Sequence, residues 1–305
     1  MESGRPLFTV FTPTYQRGHL LERLYKSLLR QRESNFEWII VDDGSTDDTK
    51  KVIEDFIDEQ EIKIKYFFKK NGGKHTAHNE ALKHAEGCLF LVIDSDDELT
   101  DESLHNFKKV WMGIPSTKRS QYAGIIGNIE SGDTPKTEKG LEGNFFEMCL
   151  RKEISGEKIH LIRTDLMKKN PFPVIEGEKD FMIEGIVWLK VTKDKKVIYS
   201  SYPYRTYNRD TSDVNSLMNK GASPFYGSLG KAIYCNEQLN NFKISYLPFI
   251  IFFIKTSIKL NRYSSHSGLL LNERIRMQRQ KFNKLLVLVT YPLGEFVARI
   301  DRKGS

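Results

Sequence analysis

Three aspartates that follow a short apolar run constrain the fold of this chain more than any other feature. Residues 89–93 read LFLVI, a length typical of a buried strand, and Asp94, Ser95, Asp96 and Asp97 come directly after them. Clustered carboxylates repel one another unless a cation lies between them, and hard divalent cations prefer oxygen ligands. In a doubly wound sheet, ligands bind at the C-terminal ends of the strands. The pattern therefore indicates a divalent-cation site at that edge of a sheet.

Two earlier apolar segments also end in polar residues. Residues 7–12 form a β-rich run that breaks at Pro13 into TPTYQR, and residues 36–41 form another, which ends in Asp42 and Asp43. Apolar residues at helical spacing lie between and after the strands, at Leu21, Leu24 and Leu28, at Val52, Ile53, Phe56 and Ile57, and at Ala77, Ala81 and Ala85. Residues 45–48, STDD, predict a helix start with capping-box spacing. The order β-α-β-α-β-α-β predicts an α/β fold with a doubly wound, mostly parallel sheet.

Taken in order, four segments resemble family 2 glycosyltransferases of the GT-A fold, which is Rossmann-like. They are TPTYQRGHLLERLYKSLLRQ, FEWIIVDDGSTDDT, the basic turn at 69–74 with the HNEA that follows at 78–81, and FLVIDSDDELT. The resemblance covers roughly residues 6–210, and the order and spacing of the four motifs make it more specific than any one of them. It implies that the first half of the chain binds a nucleotide-sugar.

The resemblance also implies roles for particular residues. Thr12, Pro13, Thr14, Tyr15, Asp42 and Asp43 would hold the base and ribose, and Asp94-Ser95-Asp96 would be the D-x-D element between the ribose and a metal ion. Asp94 and Asp96 would be the ligands of a Mg²⁺ or Mn²⁺ ion on the diphosphate. We expect Lys74 to reach a phosphate, as lysine does at point-charge sites. The structural alternatives are a helix N-terminus that welcomes acidic residues, a turn with a cap at Asp42 and Asp43, and a solvated surface lysine.

The second half of the chain should supply the base. Displacement at an anomeric carbon needs a carboxylate that accepts the proton of the acceptor hydroxyl. Many relatives carry a Glu-Asp pair in this region, and counting back from the later motifs places the pair on Glu184 and Gly185, so this chain lacks the second carboxylate. We therefore expect Glu184 to be the base, followed by Asp180 and then Glu178. For any one of these residues the alternative is a helix-start or surface charge.

The C-terminal region has a different composition. Residues 255–305 carry 11 Lys and Arg against 3 acidic residues, a net charge of +8, while the whole chain carries +7. They follow the apolar run YLPFIIFFI at 246–254, which is too short to cross a bilayer because crossing needs about 20 residues. An in-plane amphipathic helix on an anionic lipid surface fits this pattern, and the alternative is a helical extension packed on the catalytic domain. Without interleaved base-stacking aromatics or a known module, we expect no nucleic-acid partner.

These patterns predict two domains and a cellular location. Residues 1–215 would form the catalytic domain, with nucleotide-sugar binding in 1–98 and the acceptor side and base in 99–215, and residues 216–305 a basic helical extension. The cysteines Cys88, Cys149 and Cys235 lie far apart, and the first strand leaves no room for a signal peptide, so we expect a cytoplasmic protein, peripheral at the inner face of the cell membrane.

The predicted function is metal-dependent, inverting transfer of one sugar from a UDP-sugar to a glycan or lipid-linked glycan in surface polysaccharide assembly. Two alternative functions remain open from the sequence. A phosphatase with an Asp nucleophile also places D-x-D after a strand, although its pattern requires Thr or Val where this chain has Glu98. A nucleotide-sugar-binding partner subunit without turnover fits the missing carboxylate at Gly185.

Overall fold

The computed structural model describes residues 4–130, 141–154, 156–175, 181–206 and 223–303. The chain divides into two compact units. The first comprises residues 1–179 and 194–213, and the second comprises residues 180–193 and 214–305. Two of the predicted site residues, Glu178 and Asp180, lie outside the described residues.

The first unit begins with a parallel half-sheet. Its strands are β1 (Phe8–Thr14), β2 (Phe36–Asp42), β3 (Ile64–Phe68) and β4 (Leu89–Val92), connected by the helices α1 (Gly18–Leu29), α2 (Thr49–Asp58) and α3 (Lys74–His84). The strands lie in the order β3-β2-β1-β4, and every neighbouring pair is parallel. The predicted α/β class with a mostly parallel doubly wound sheet is confirmed. Because β1 lies between β2 and β4, the polar residues that follow these three strands meet at one edge of the sheet.

The same sheet continues with strands that run in both directions. They are β5 (Glu98–Leu99), β6 (Tyr122–Glu130), β7 (Glu142–Gly143), β8 (Ile159–Arg163) and β9 (Lys196–Thr206), accompanied by the helices α4 (Ser103–Gly113), α5 (Phe145–Leu150) and α6 (Thr164–Lys169) and a 3₁₀ turn at Ser116–Gln121. The order beyond β4 is β8-β6-β9-β5, with β7 on β9. β8 is antiparallel to both β4 and β6, whereas β6 and β9 are parallel. The short β5 pairs antiparallel with the end of β9, so β9 reaches the segment that follows β4.

The core of this unit lies between the sheet and its helices. Leu21, Leu24 and Leu28 of α1 are buried, as their helical spacing predicts. The predicted capping box at residues 45–48 is wrong. α2 begins after Asp48 without a side-chain cap, because the Ser45 hydroxyl accepts a hydrogen bond from the Gln16 amide at 2.8 Å instead.

The second unit is helical in its described residues. It contains α7 (Gly185–Val191), α8 (Ser228–Asn240), a 3₁₀ turn at Ile244–Phe249, α9 (Ile250–His266), α10 (Leu271–Arg276) and α11 (Lys281–Lys303). α9 packs against both α8 and α11. Within the described residues, one helical stretch, Ile244–His266, is long and apolar enough to cross a membrane by length and composition, with a mean hydropathy of 1.2. Buried helices of soluble proteins meet the same criterion.

The apolar run at 246–254 is divided between two environments. It changes from the 3₁₀ turn to α9 at Ile250, and the Phe253 ring is fully buried, with its centroid 4.8 Å from that of Phe242. Ile251, in contrast, is 66% exposed. The run is therefore not one lipid-facing surface, because part of it forms the core of this unit.

Candidate active site

Three carboxylates converge directly after β4. Oxygen atoms of Asp94, Asp96 and Asp97 all lie within 4.8 Å of one another. β4 pairs with β1 from Phe8↔Leu89 to Phe11↔Val92, so the end of β4 lies beside the end of β1. The Ser95 hydroxyl in the middle of this cluster is buried and has no hydrogen-bond partner in the described part of the chain. Oxygen ligands at this spacing could hold a hard divalent cation.

Cationic side chains surround the carboxylate cluster. The Lys74 ammonium at the start of α3 lies 2.6 Å from Asp94 Oδ1, and an Arg17 guanidinium nitrogen lies 3.5 Å from Asp96 Oδ2. Arg205, from the end of β9, lies 2.8 Å from Asp97 Oδ2. Lysine and arginine at these positions could also contact a diphosphate, since both bind phosphate oxygens.

The pKa shifts follow from burial and from these neighbours. Burial acts to raise the pKa of Asp94, but the Lys74 ammonium beside it, together with Arg205 and Arg17, outweighs burial and holds that pKa below its ordinary value. Burial and the nearby Asp94 carboxylate raise the pKa of Asp96. Burial also raises the pKa of Asp97 to about 8, against the opposing effect of Arg205. Burial and mutual repulsion therefore disfavour the charged forms of Asp96 and Asp97, and a bound cation would favour them.

The residues at the C-terminal end of β1 and directly after it differ in exposure. The Thr12 hydroxyl is buried and accepts a hydrogen bond from Trp38 Nε1 at 2.9 Å, so it is engaged inside the sheet. The Thr14 hydroxyl is also buried but has no hydrogen-bond partner among the described residues. Tyr15 is 41% exposed, and Pro13, which lies between Thr12 and Thr14, is partly buried. Thr14 and Tyr15 are therefore better placed than Thr12 to contact a ligand.

The two aspartates at the C-terminal end of β2 are buried, and both accept hydrogen bonds from protein donors. Asp42 accepts a hydrogen bond from the Ser45 amide at 2.8 Å and another from the Tyr66 hydroxyl at 3.0 Å. Asp43 accepts bonds from the basic turn after β3, including the Gly72 amide at 2.9 Å, the Gly73 amide at 2.7 Å and the Lys69 ammonium. Gly73 has φ 90° and directly precedes α3, whose first residue is Lys74. Asp43 thus fixes the turn that positions Lys74.

The predicted base lies in the second unit. Glu184 is the residue before α7, and its carbonyl oxygen accepts the amide hydrogens of Val187 and Trp188 at 2.9 Å and 3.2 Å. Its neighbour Gly185 packs against Tyr234 of α8, because a Cβ atom at Gly185 would lie 2.5 Å from the Tyr234 ring. A side chain at Gly185 would therefore require the Tyr234 ring to move.

The family model described as glycosyl transferase family 2 matches residues 9–163, which is half of the chain and includes the whole carboxylate cluster. The chain belongs to this family. It is accordingly a glycosyltransferase, as the four motifs predict, and a phosphatase is excluded.

Named relatives are similar to parts of this glycosyltransferase. The GalNAc(5)-diNAcBac-PP-undecaprenol β-1,3-glucosyltransferase of Campylobacter jejuni is 28% identical over 226 residues, which cover 70% of this chain and 69% of that enzyme. The poly(ribitol-phosphate) β-N-acetylglucosaminyltransferase TarS of Staphylococcus aureus is 36% identical over 99 residues, which are 32% of this chain but only 17% of TarS.

Solved structures show the same fold. Residues 1–349 of S. aureus TarS in complex with UDP superpose with a TM-score of 0.58 and 18% identity over 98% of this chain and 92% of that one. The mannosyltransferase PcManGT of Pyrobaculum calidifontis, in complex with GDP-Man and Mn²⁺, superposes with a TM-score of 0.55 and 15% identity over 98% and 88%. The GT-A architecture of the glycosyltransferase thus agrees with the predicted fold.

The structure adds Arg17 and Arg205 to the site and gives Asp97 of the aspartate cluster a partner. Arg17 closes the TPTYQR motif and pairs with Asp96, so the motif itself contained the signal. Asp97 and Arg205 form a buried ion pair across 108 positions of sequence, which no local pattern could reveal. Arg205 also contacts Glu157 and thereby joins three separate segments of this unit.

Proposed function

We propose that the chain transfers one sugar from a UDP-sugar to a glycan or lipid-linked glycan acceptor during surface polysaccharide assembly, with inversion at the anomeric carbon. The observation that carries the proposal is the carboxylate cluster after β4, bordered by Lys74 and Arg17, in a family 2 glycosyltransferase. The names of relatives support the acceptor class, because the C. jejuni enzyme is named for an undecaprenol-linked glycan and TarS for poly(ribitol-phosphate). A TarS structure in complex with UDP-GlcNAc supports a UDP-sugar donor.

We infer that Asp94 and Asp96 hold a Mg²⁺ or Mn²⁺ ion. Their oxygens fit such an ion because they lie within 4.8 Å of each other and because burial and the Asp94 carboxylate raise the pKa of Asp96, an effect that a bound cation would oppose. When bound, the ion would offset the charge that develops on the departing diphosphate. Asp97 is committed to Arg205 and would support the ligands rather than join them.

The donor pocket would use the C-terminal ends of β1, β2 and β4. Thr14, Tyr15 and Ser95 would contact the nucleotide directly, since the hydroxyls of Thr14 and Ser95 have no partner among the described residues. Thr12, Pro13 and Asp42 would shape the walls for base and ribose, and Asp43 would hold the basic turn. Lys74 would exchange its contact with Asp94 for one with a donor phosphate once the metal neutralises that carboxylate.

The acceptor hydroxyl needs a base, and we propose Glu184 for this role. With Gly185 packed against Tyr234, Glu184 is the remaining member of the pair that many relatives carry. Asp180 and then Glu178 are the alternatives. As the acceptor oxygen attacks the anomeric carbon, the carboxylate would accept its proton, which makes the oxygen a better nucleophile.

The proposed place of action is the cytoplasmic face of the cell membrane, where a lipid-linked acceptor would be reached. The +8 charge of residues 255–305 supports it, because basic residues are attracted to anionic lipid by about 1 kcal/mol each.

The test is substitution of Asp96 by Ala, compared with Asp101→Ala as the matched control. Asp101 is an exposed carboxylate of the following turn that pairs with Arg30 at 2.9 Å. We expect Asp96→Ala to abolish sugar transfer and the metal dependence of UDP binding in calorimetry, and Asp101→Ala to preserve both. Unchanged metal dependence in Asp96→Ala would refute the metal assignment. Absence of turnover by the parent chain with mixed UDP-sugars and a membrane-lipid extract would favour a binding subunit instead.

A further inference from the structure

In α11 the buried face carries small and polar residues and the outward face carries apolar residues, which is the reverse of an ordinary surface helix. Its buried residues are Asn283, Val287, Thr290, Gly294 and Ala298, of which only Val287 has a large apolar side chain. Thr290 exchanges a hydrogen bond with Ser257 of α9 at 2.8 Å, and Asn261 of α9 donates to the Val287 carbonyl at 2.9 Å. A Cβ atom at Gly294 would lie 2.3 Å from Asn261 Cβ, so the two helices touch closely at this glycine. The interface between α9 and α11 is therefore built from small and polar residues.

Both acidic residues of α11 are also used inside the unit. Glu295 lies 2.8 Å from the Arg274 guanidinium, which is itself buried. Asp301 pairs with Arg262 of α9 at 2.6 Å. The acidic charge of α11 is therefore neutralised internally.

The outward face of α11 is apolar along nearly its whole length. The residues of this face, which we name the α11 stripe, are Phe282, Leu285, Val289, Leu293, Phe296 and Ile300. They recur at intervals of three and four, which places them on one side of a helix, and they are between 38% and 68% exposed. At 1.5 Å per residue the stripe is about 27 Å long. Soluble monomers rarely expose a continuous apolar surface of this size, so it needs a partner.

The charges that border the stripe are positive. Lys281, Lys284 and Arg299 are exposed, and with 3.6 residues per turn all three fall on the same side of the stripe. They occur near both ends of the helix. An antiparallel pairing of α11 with a second copy of the chain would therefore bring like charges together, which is unfavourable.

We propose that the α11 stripe lies in the interface of an anionic bilayer, with its axis in the membrane plane. Small and polar residues between helices, with apolar residues outward, are typical of helices that meet lipid. A basic edge beside an apolar face is typical of in-plane helices at anionic membranes. This inference rests on the proposed action at a membrane and specifies its surface, which is the α11 stripe and not the run at 246–254.

The experiment is co-sedimentation of the full chain with phosphatidylcholine vesicles, with and without phosphatidylglycerol. The test variant carries Val289→Glu and Phe296→Glu, both on exposed positions. The matched control carries Ile244→Glu and Ile251→Glu, which make the same change of charge on residues that are 76% and 66% exposed in the same unit. We expect the test variant to lower the vesicle partition coefficient by about 100-fold, about tenfold for each apolar side chain kept from the bilayer. The control should stay within a few-fold of the parent chain.

Three results would overturn the proposal. The parent chain could fail to bind either kind of vesicle, the test variant could bind like the parent, or the control alone could lose binding. A dimer of the parent chain that the test variant dissociates in sedimentation velocity, without vesicle binding, would assign the stripe to a second copy.

A second measurement does not depend on the double variant. Leu293→Trp should gain fluorescence that brominated acyl chains quench, while an indole that brominated lipid does not quench would place the stripe in water. UDP binding by the same variants, measured by calorimetry, separates the two proposals. Loss of vesicle binding with normal UDP binding would show that the variant affects the α11 stripe and not the active site. Loss of UDP binding with normal vesicle binding would show the opposite.

Discussion

The contact between Gly185 and Tyr234 makes a quantitative prediction for Gly185→Ala. The added Cβ atom would lie 2.5 Å from one ring carbon of Tyr234 and 3.1 Å from the next. Since ordinary contacts begin near 3.4 Å, the ring must move by roughly 1 Å, and overpacking of this kind costs about 1–3 kcal/mol. Replacing glycine by alanine inside a helix recovers about 0.5–1 kcal/mol. We therefore expect Gly185→Ala to lower the free energy of unfolding by about 1–2 kcal/mol.

The assay is urea unfolding of Gly185→Ala, Tyr234→Ala and the double variant. In the Tyr234→Ala background the clash is gone, so Gly185→Ala should become neutral or stabilising, and the cycle should yield a coupling energy of about 2 kcal/mol. Gly113→Ala is the matched control, because a methyl group at this last residue of α4 meets nothing within 4 Å. Additive effects of Gly185→Ala and Tyr234→Ala would refute the packing argument. They would also reopen Gly185 as a position that tolerates a second carboxylate.

Three further predictions concern buried charges and the base. In a urea titration at about pH 9, where Asp97 with its pKa of about 8 is charged, Arg205→Met should lower the free energy of unfolding by about 3–5 kcal/mol because it leaves Asp97 buried without its cation, and adding Asp97→Asn should restore much of it. Glu184→Gln should reduce kcat by about 100-fold or more with UDP affinity retained in calorimetry, whereas a collapse of kcat in Asp180→Asn alone would move the base to Asp180. Burial acts to raise the pKa of Glu37, but hydrogen bonds from neighbouring side chains and a backbone amide outweigh burial and lower that pKa. Glu37 therefore stabilises the folded state above its unfolded pKa of 4.5, and this stabilisation is lost as the pH falls through the lower pKa of the folded state. Unfolding titrations across this range should therefore show a loss of stability on acidification that Glu37→Gln reduces, and an equal loss in both proteins would contradict the assignment.

The parallel half of the sheet could be predicted because its signals are local. Each of β1, β2 and β4 is an apolar run that ends in polar residues, and the helices between them follow the 3.6-residue period, as Leu21, Leu24 and Leu28 show. The second half of the sheet could not be ordered from sequence, because β8 pairs with β4 across about 70 residues and nothing local specifies that partner.

Residue types in the sequence predicted which carboxylates lie together, but not the hydrogen bonds that they make. Asp94 and Asp96 lie together as the D-x-D spacing predicts. The hydrogen bonds that occupy Asp43 come from amides of Gly72 and Gly73, and backbone donors leave no trace in side-chain chemistry. The roles of Asp42 and Asp43 toward a nucleotide therefore stay predictions, while their role in shaping the loops is visible.

The C-terminal helices show that a hydrophobic pattern predicts which residues share the apolar face of a helix, but not whether that face lies in the core or is exposed. In sequence, the spacing of Phe282, Leu285 and Val289 is what a core-facing stripe would have, and the most concentrated apolar run lies earlier, at 246–254. The structure shows the opposite arrangement, because Phe253 of the earlier run is in the interior while Val289 is 68% exposed. The deciding information lies in Asn261, Asn283 and Thr290, whose hydrogen bonds inside the unit satisfy polar groups that would otherwise be costly to bury. With these polar residues in the interior, the apolar face of α11 is turned outward among the described helices, and it is this face that we propose for the anionic bilayer.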